Sequence, residues 1–233
     1  MPIPLYLAMT AAEYRGCPPF PDRTAWMACH FSPYGTGLCN LPENLPEGSI
    51  LIINDRTPIC GHDAERIFFQ AAQTVQRLNC TGVLLDFQRP DSQETTKIAA
   101  ELVKLPCPVA VSELYANELD CPIFLSAPPI GRPLKEYLSS WNGREIWLEA
   151  ALGGQILILT EGGSTAAPLP VGEQPDCPHT SKALHLRYRI DPEQKQVSFT
   201  LRRTREDLDG LLQEAGALGV KQAVGLFQEL KKI

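Results

Sequence analysis

Short runs of apolar residues recur along the chain, and most of them are nearly continuous. A strand that is buried on one face alternates apolar and polar residues, whereas a strand covered on both faces need not alternate. Continuous runs are therefore typical of a parallel sheet that helices cover. The runs occupy residues 3–9, 25–29, 50–53, 82–87, 108–111, 122–125, 146–148, 156–159, 197–201 and 223–227.

Two neighbouring segments alternate instead. Residues 184–190 and 197–201 place an apolar side chain at nearly every second position, and the residues between them include Pro192. Such alternation indicates strands with one solvent-exposed face. We predict an antiparallel hairpin here.

Helices are predicted between several of the runs. Residues 63–78 carry an apolar stripe at helical spacing, and Asp91 is a candidate cap for the next helix. Pro133 suits the first turn of a further helix. The clearest helix follows Thr204 and Asp207, which have the spacing of a capping box.

The order strand, helix, strand recurs, most clearly over 50–85, 83–111 and 197–227. Such units make right-handed crossovers onto a parallel sheet. We predict an α/β fold: an irregular or incomplete (β/α)8 TIM-like barrel with an antiparallel hairpin insertion. An open doubly wound sheet is the alternative. We expect a single domain over 1–233, with the loop and hairpin insertion at about 161–201.

The predicted barrel is irregular in two places. Between residues 9 and 50 the pattern indicates Pro- and Gly-rich loops and no helix, and 161–181 is a second long loop.

Composition and charge exclude several classes of partner. The net charge of −6 and the pI near 5.3 disfavour non-specific nucleic-acid binding. No apolar run approaches the roughly 20 residues of a membrane helix. The start of the chain lacks the pattern of a signal peptide, so we expect a cytoplasmic protein. Nothing in the pattern indicates an oligomeric state.

The eight cysteines do not have the spacing of a metal or redox site, because no two lie within four residues of each other. We expect reduced thiols, most of them small buried core residues. We predict neither a metal nor a cofactor.

Polar residues, many of them acidic, follow the predicted strands. In a parallel barrel these positions share one rim. Paired carboxyl groups there can protonate a leaving oxygen and stabilise positive charge at an anomeric carbon, although strand-end acids also serve as helix caps. The candidate catalytic acids are Asp86, Glu113, Glu149 and Glu229. The candidate substrate-binding residues are Asp55, Arg56, Gln88, Tyr115 and Trp147.

The segment from Cys80 to Gln88, Cys-Thr-Gly-Val-Leu-Leu-Asp-Phe-Gln, resembles the fourth-strand motif Asp-x-Asp-x-Glu of family 18 glycoside hydrolases, the chitinase-like barrels. Residues 217–229 are similar to the final helix and strand of those enzymes. The resemblance implies a barrel that acts on a carbohydrate. It also implies that the motif's Asp beside the Glu orients the 2-acetamido group, and that the Glu is the general acid.

The chain departs from this motif at two of its three positions. Leu84 stands for the first Asp, Asp86 matches the second, and Gln88 replaces the Glu. A glutamine amide has no proton to transfer at neutral pH. The resemblance is therefore to a degenerate member of the family, and we expect conventional chitinase activity to be absent.

Three hypotheses stay open. The first is a hydrolase in which another strand-end acid has taken over. The second is an inactive barrel that binds a carbohydrate or a protein partner. The third is an unrelated cytoplasmic α/β enzyme that acts on a small metabolite through Asp55, Arg56 and Glu113.

Overall fold

The structure, a computed structural model, describes residues 3–17, 20–59, 61–89, 93–128, 132–169, 173, 175–193 and 195–231. The strands in these ranges are β1 (Leu5–Met9), β2 (Thr24–Phe31), β3 (Leu38–Cys39), β4 (Ile50–Asn54), β5 (Gly82–Asp86), β6 (Val109–Ser112), β7 (Ile123–Leu125), β8 (Ile146–Glu149), β9 (Gly154–Thr160), β10 (Gly163–Pro168), β11 (His179–Ser181), β12 (Leu186–Pro192), β13 (Gln196–Arg202) and β14 (Gln222–Leu226). The helices are α1 (Ala11–Gly16), α2 (Ala64–Leu78), α3 (Gln93–Leu102), α4 (Leu134–Ser139), α5 (Arg205–Ala217) and α6 (Phe227–Leu230).

Eight parallel strands close into a barrel. Their order is β1, β2, β4, β5, β6, β7, β8 and β14, and β14 pairs with β1 to complete the ring. Leu7 pairs with Thr24 on one side of β1, and Leu5 pairs with Ala223 on the other. This closure confirms the predicted TIM-like barrel and excludes the open doubly wound sheet, which would leave two edge strands unpaired.

The barrel strands are apolar throughout because both of their faces are buried. Tyr6, Ile52, Leu84 and Trp147 belong to a cluster of inward-facing side chains that fills the interior. The intervening residues of β4 and β5 instead pack outward in a cluster that includes residues of α2 and α3. Trp147 fills the interior so tightly that a Cβ atom at Gly82 would lie 2.7 Å from its ring.

The predicted helix signals on described residues are confirmed. Asp63 caps α2 by accepting hydrogen bonds from the backbone N–H groups of Glu65 and Arg66. Thr204 and Asp207 form the capping box of α5. Pro133 directly precedes α4. Asp91 lies outside the described residues.

The expectation of no helix between residues 9 and 50 is wrong. The short helix α1 begins after Thr10, which forms a capping box with Glu13, and it buries Tyr14. Its six residues are too few to show an apolar stripe, so only the cap spacing could have revealed it.

A second, antiparallel sheet is inserted between β8 and α5, with strand order β10-β9-β13-β12-β11. The predicted hairpin is confirmed as β12 and β13, in which Tyr188 pairs with Leu201. Two expectations are wrong here. Residues 197–227 are not a parallel unit, because β13 lies in the second sheet and β14 in the barrel. The segment 161–181 is not only loop, because it contains β10 and β11.

The helices in the described part of the chain are all too short or too polar to span a membrane.

The seven described cysteines form no disulfide with one another, and all are at least half-buried. Burial raises the pKa of Cys80, Cys107 and Cys121 to about 11. These three thiols are therefore protonated near neutral pH and are poor nucleophiles. Cys60 lies outside the described residues.

Candidate functional site

A cleft of about 790 Å³ opens at the carboxyl ends of the barrel strands, and all eight strands contribute to its wall. Loops from every strand converge at this end of a parallel barrel, which is where such folds place their ligand sites. The lining residues from the strands and the segments that follow them are Ala8, Thr10, Met27, Ala28, His30, Ile52, Asn54, Asp55, Arg56, Leu84, Asp86, Gln88, Arg89, Ser112, Glu113, Leu114, Phe124, Ser126, Glu149, Val224, Gly225 and Leu226.

The two-residue period of the strands decides which side chains reach the cleft. In β5 the interior residue Leu84 is followed two positions later by Asp86, and then by Gln88. In β8 the interior residue Trp147 is followed two positions later by Glu149. Alternate residues of a strand point to the same face, so each cleft residue lies one layer above a core residue.

Asp86 and Gln88 are joined within the cleft. The Nε2 amide of Gln88 donates a hydrogen bond to Oδ1 of Asp86. Burial raises the pKa of the Asp86 carboxyl; the hydrogen bond from Gln88 partly offsets this effect, and the nearby carboxylate of Asp55 adds to it. The pair therefore offers a ligand a half-buried carboxyl group whose orientation an amide maintains.

The raised pKa of Asp86 predicts that this residue destabilises the folded chain near neutral pH. As the pH rises above 3.8, the ordinary pKa of this carboxyl, the unfolded state loses the Asp86 proton before the folded state does. The free energy of unfolding therefore falls as the pH rises from 3.8 through the raised pKa of the folded state. Asp86→Asn removes the charge and keeps an oxygen that can accept from Gln88. We expect the variant to have a higher Tm than the wild type at neutral pH, with the difference vanishing below pH 3.8.

Thermal unfolding monitored by circular dichroism over this pH range checks the prediction. Asp22→Asn, at an exposed position outside the cleft, serves as the control and should not change the pH profile. An Asp86→Asn variant that is less stable than the wild type at neutral pH would contradict this account of the carboxyl.

Asp55 is adjacent to the cleft, but its carboxylate is bound to the backbone. It is 4% exposed, and its two oxygens accept hydrogen bonds from the N–H groups of Gln88 at 3.0 Å and Arg89 at 2.8 Å. Arg89 returns a hydrogen bond from Nε to the Asp55 carbonyl oxygen at 3.0 Å. Asp55 therefore positions the turn that carries Gln88.

Glu113 and Glu149 lie on either side of the turn that follows β7. Glu113 accepts a hydrogen bond from the Ser126 hydroxyl at 3.4 Å, and Glu149 accepts one from the Ala127 N–H at 2.8 Å. The hydroxyl of Tyr137 donates to the Ser126 carbonyl oxygen. Burial, followed by the charges of Glu113 and Glu149, raises the pKa of Tyr137 to about 12. Both carboxylates therefore lie near one buried phenol.

Six of the nine predicted site residues line the cleft, namely Asp55, Arg56, Asp86, Gln88, Glu113 and Glu149. The other three do not. Glu229 binds the N–H groups of Leu152 and Gly153 and so holds the segment after β8. Tyr115 is 1% exposed and donates to the Arg89 carbonyl oxygen. Trp147 is 1% exposed in the barrel interior, and its indole N–H donates to Glu145.

Asn54 and Phe124 also line the cleft, although the sequence did not single out either side chain. Asn54 ends β4 and donates to the carbonyl oxygens of Met27 and Cys29. Phe124 is half-buried against the interior cluster and is the aromatic side chain of the cleft lining. Counting by two from the interior residue Ile52 would have found Asn54, but uniformly apolar strands conceal which residues face inward.

The described residues bring no three His, Cys, Asp or Glu side chains together in a way that suits a metal ion. The cleft therefore offers a ligand carboxylates, amides, hydroxyls and apolar surface from the chain itself.

Solved structures similar to this chain are glycoside hydrolase barrels. The spore cortex-lytic enzyme SleL of Bacillus cereus matches with a TM-score of 0.58 at 10% identity, over 96% of this chain and 70% of the enzyme. A chitinase of Chromobacterium violaceum matches with a TM-score of 0.57 at 9% identity, over 96% and 93% of the two chains. The barrel shares the fold of these enzymes.

A third solved structure with the same fold contains a ligand. It is a mutant of the GH18 chitinase of Cycas revoluta in complex with (GlcNAc)4, with a TM-score of 0.58 and 12% identity over 95% of this chain and 94% of the chitinase. No family model and no curated protein matches the chain. At these identities the likeness establishes the fold.

Proposed function

We propose that the cleft binds an oligosaccharide of N-acetylated amino sugars and does not hydrolyse it by the family 18 mechanism. The observation that carries the proposal is the hydrogen bond from the Gln88 amide to Asp86 in the cleft. In the family motif, the residue at the position of Gln88 is the general acid. The residue at the position of Asp86 orients the acetamido group of the substrate.

The chemistry of Gln88 accounts for the predicted inactivity. A positioned general acid contributes about 10²–10⁴ in rate, and an amide cannot supply the proton that the leaving oxygen needs. Asp86 keeps its carboxylate and a fixed partner, so it retains the ability to accept a hydrogen bond from a ligand N–H or O–H.

The rest of the cleft suits a sugar ring. Sugars present apolar C–H faces together with a rim of hydroxyl groups, and they bind where apolar surface lies beside placed polar groups. Phe124 supplies apolar surface above the buried residues Leu84 and Val224, while Asn54 and Asp86 supply polar groups. The (GlcNAc)4 ligand of the Cycas revoluta chitinase mutant supports this choice of ligand class.

A second candidate function is hydrolysis by a different pair of acids. It is favoured by the placement of Glu113 and Glu149 on both sides of Ser126, where both raise the pKa of Tyr137. Under this alternative the wild-type chain cleaves the sugar. Glu113→Gln then abolishes cleavage, whereas under the binding proposal there is no cleavage to abolish.

Titration calorimetry with (GlcNAc)4 tests the proposal. We expect saturable binding to the wild type and a Kd about 5- to 150-fold weaker for Asp86→Ala, because losing one partner of a half-buried polar contact costs about 1–3 kcal/mol. Asp22→Ala is the matched control, since it removes an exposed acid outside the cleft. Absence of binding to the wild type, or equal affinity in Asp86→Ala, would refute the proposal.

A further inference from the structure

The antiparallel sheet has two chemically different faces. Residues that pair directly across strands point to the same side, so the registers assign each side chain to a face. One side, which we call the apolar face, contains Leu157, Leu159, Tyr188, Ile190, Val197 and Phe199. The other side, the polar face, contains Arg187, Arg189, Asp191 and Arg202.

No Asp, Glu, Lys or Arg occurs at any paired position of the apolar face. Around the apolar face, charged residues such as Glu161 and Lys195 lie in the turns beyond the strand ends. A charge-free centre with a charged rim is the usual composition of a protein–protein interface.

Two large side chains of the apolar face are exposed to solvent. Leu159 is 39% exposed and Ile190 is 41% exposed, and neither belongs to the hydrophobic clusters of the barrel. Cys177, a described residue between β10 and β11, lies on the opposite side. Cys177 donates to the Thr200 carbonyl oxygen and is buried close to Arg189 and Arg202 of the polar face.

The end of the polar face is also attached to the barrel. Arg187 lies 2.8 Å from Glu206 and 3.5 Å from Asp207, both in the first turn of α5. The insertion therefore uses its charged side to contact the rest of the chain and leaves Leu159 and Ile190 of the apolar face exposed. An apolar patch of this extent usually marks an interaction site.

We infer that the apolar face is a dimer interface and that its partner is a second copy of this chain. Four strands of six or seven residues and the three-residue β11 present about 500 Å² at ~4.8 Å between strands and ~3.4 Å per residue. Two copies face to face would bury about 1,000 Å², which is at the lower limit for a biological interface.

A second copy suits this face for two physical reasons. A flat sheet without charges fits best against another flat sheet without charges, as in the two layers of a β-sandwich. In a dimer with a two-fold axis, both copies use the same patch. A single self-complementary surface is therefore sufficient to form the interface. The inference concerns a surface away from the cleft and does not depend on the proposed sugar binding.

Sedimentation velocity over a dilution series tests the inference on the full chain. We expect the wild type to reach twice its mass of 25.7 kDa. Leu159→Lys/Ile190→Lys should weaken the dimer by more than about 100-fold, because four unpaired ammonium groups would be buried in the dimer. Both positions are already exposed in one chain, so each copy should keep its fold, which far-UV circular dichroism checks.

Thr165→Lys/Thr180→Lys is the matched control. It adds the same charge to exposed positions on the polar face and should leave the dimer intact. A wild type that sediments at 25.7 kDa at every concentration overturns the inference. So does a dimer that persists in Leu159→Lys/Ile190→Lys, since this would indicate pairing through another surface, such as the β10 edge. Sugar binding by the monomeric variant is a separate readout of the cleft.

Discussion

Gln88→Glu is expected to raise the rate of chito-oligosaccharide hydrolysis by about 10²-fold or more over the wild type. The substitution places a carboxyl group beside Asp86, where the amide now donates its hydrogen bond. Two carboxyl groups this close share one proton near neutral pH, which raises the pKa of one of them and keeps it available as a general acid. Release of a chromogenic leaving group measures the effect.

Two further variants control this result. Gln88→Ala removes the amide without adding an acid and should leave hydrolysis at the wild-type level. Asp86→Ala combined with Gln88→Glu should lose the gained activity, because the new acid then lacks the group that orients the sugar. If Gln88→Glu binds (GlcNAc)4 like the wild type but cleaves no faster, Gln88 is not the cause of the inactivity.

Asp55→Ala is expected to lower the free energy of unfolding by about 2–6 kcal/mol. Each buried N–H that loses its acceptor costs about 1–3 kcal/mol, and Asp55 accepts from the N–H groups of both Gln88 and Arg89. Chemical denaturation of the variant and the wild type measures the difference. Because the same turn carries Gln88, the folded variant should also bind sugar more weakly.

Arg56→Ala is the neighbouring control for Asp55→Ala. Its side chain is exposed. Its backbone N–H donates to the side chain of Asn54, and its carbonyl oxygen accepts from Arg89. We expect a stability change within about 0.5 kcal/mol, as for most surface substitutions. If the two variants are equally stable, the Asp55 carboxylate does not hold the turn.

The barrel was predictable because strands that are buried on both faces appear in the sequence as continuous apolar runs. Runs such as 50–53 and 82–87 became β4 and β5, and the polar residues after them lie at one rim. The same uniformity hides which residues face inward. It does not show that Asn54 points into the cleft while Asp55 beside it accepts backbone hydrogen bonds.

Trp147 and Glu149 illustrate the same limit. They are two residues apart in β8 and share a face, but the tryptophan lies one layer deeper, where it packs against Gly82. The position of a residue along a strand therefore decides whether its side chain lies in the core or in the cleft. An aromatic residue near the end of a strand does not necessarily reach the cleft to stack on a sugar. Phe124, which pairs with Trp147 across β7 and β8, does line the cleft.

The antiparallel insertion was predictable only in part. Alternation identified the hairpin of β12 and β13, because each strand has one polar and one apolar face. Residues 156–159 look like a buried barrel strand, since β9 places leucines on one face and isoleucines on the other. Hydropathy alone could not distinguish a strand half-buried on both faces from one that is fully buried.

A proton NMR titration of the wild-type chain with (GlcNAc)4 tests the central claim most directly, because it observes binding and cleavage in one sample. The account predicts saturable changes in the sugar signals and no new reducing-end anomeric protons over prolonged incubation. New reducing-end signals, growing with time and absent in Asp86→Ala, would contradict it. Sugar signals unchanged by the protein at any ratio would contradict it equally.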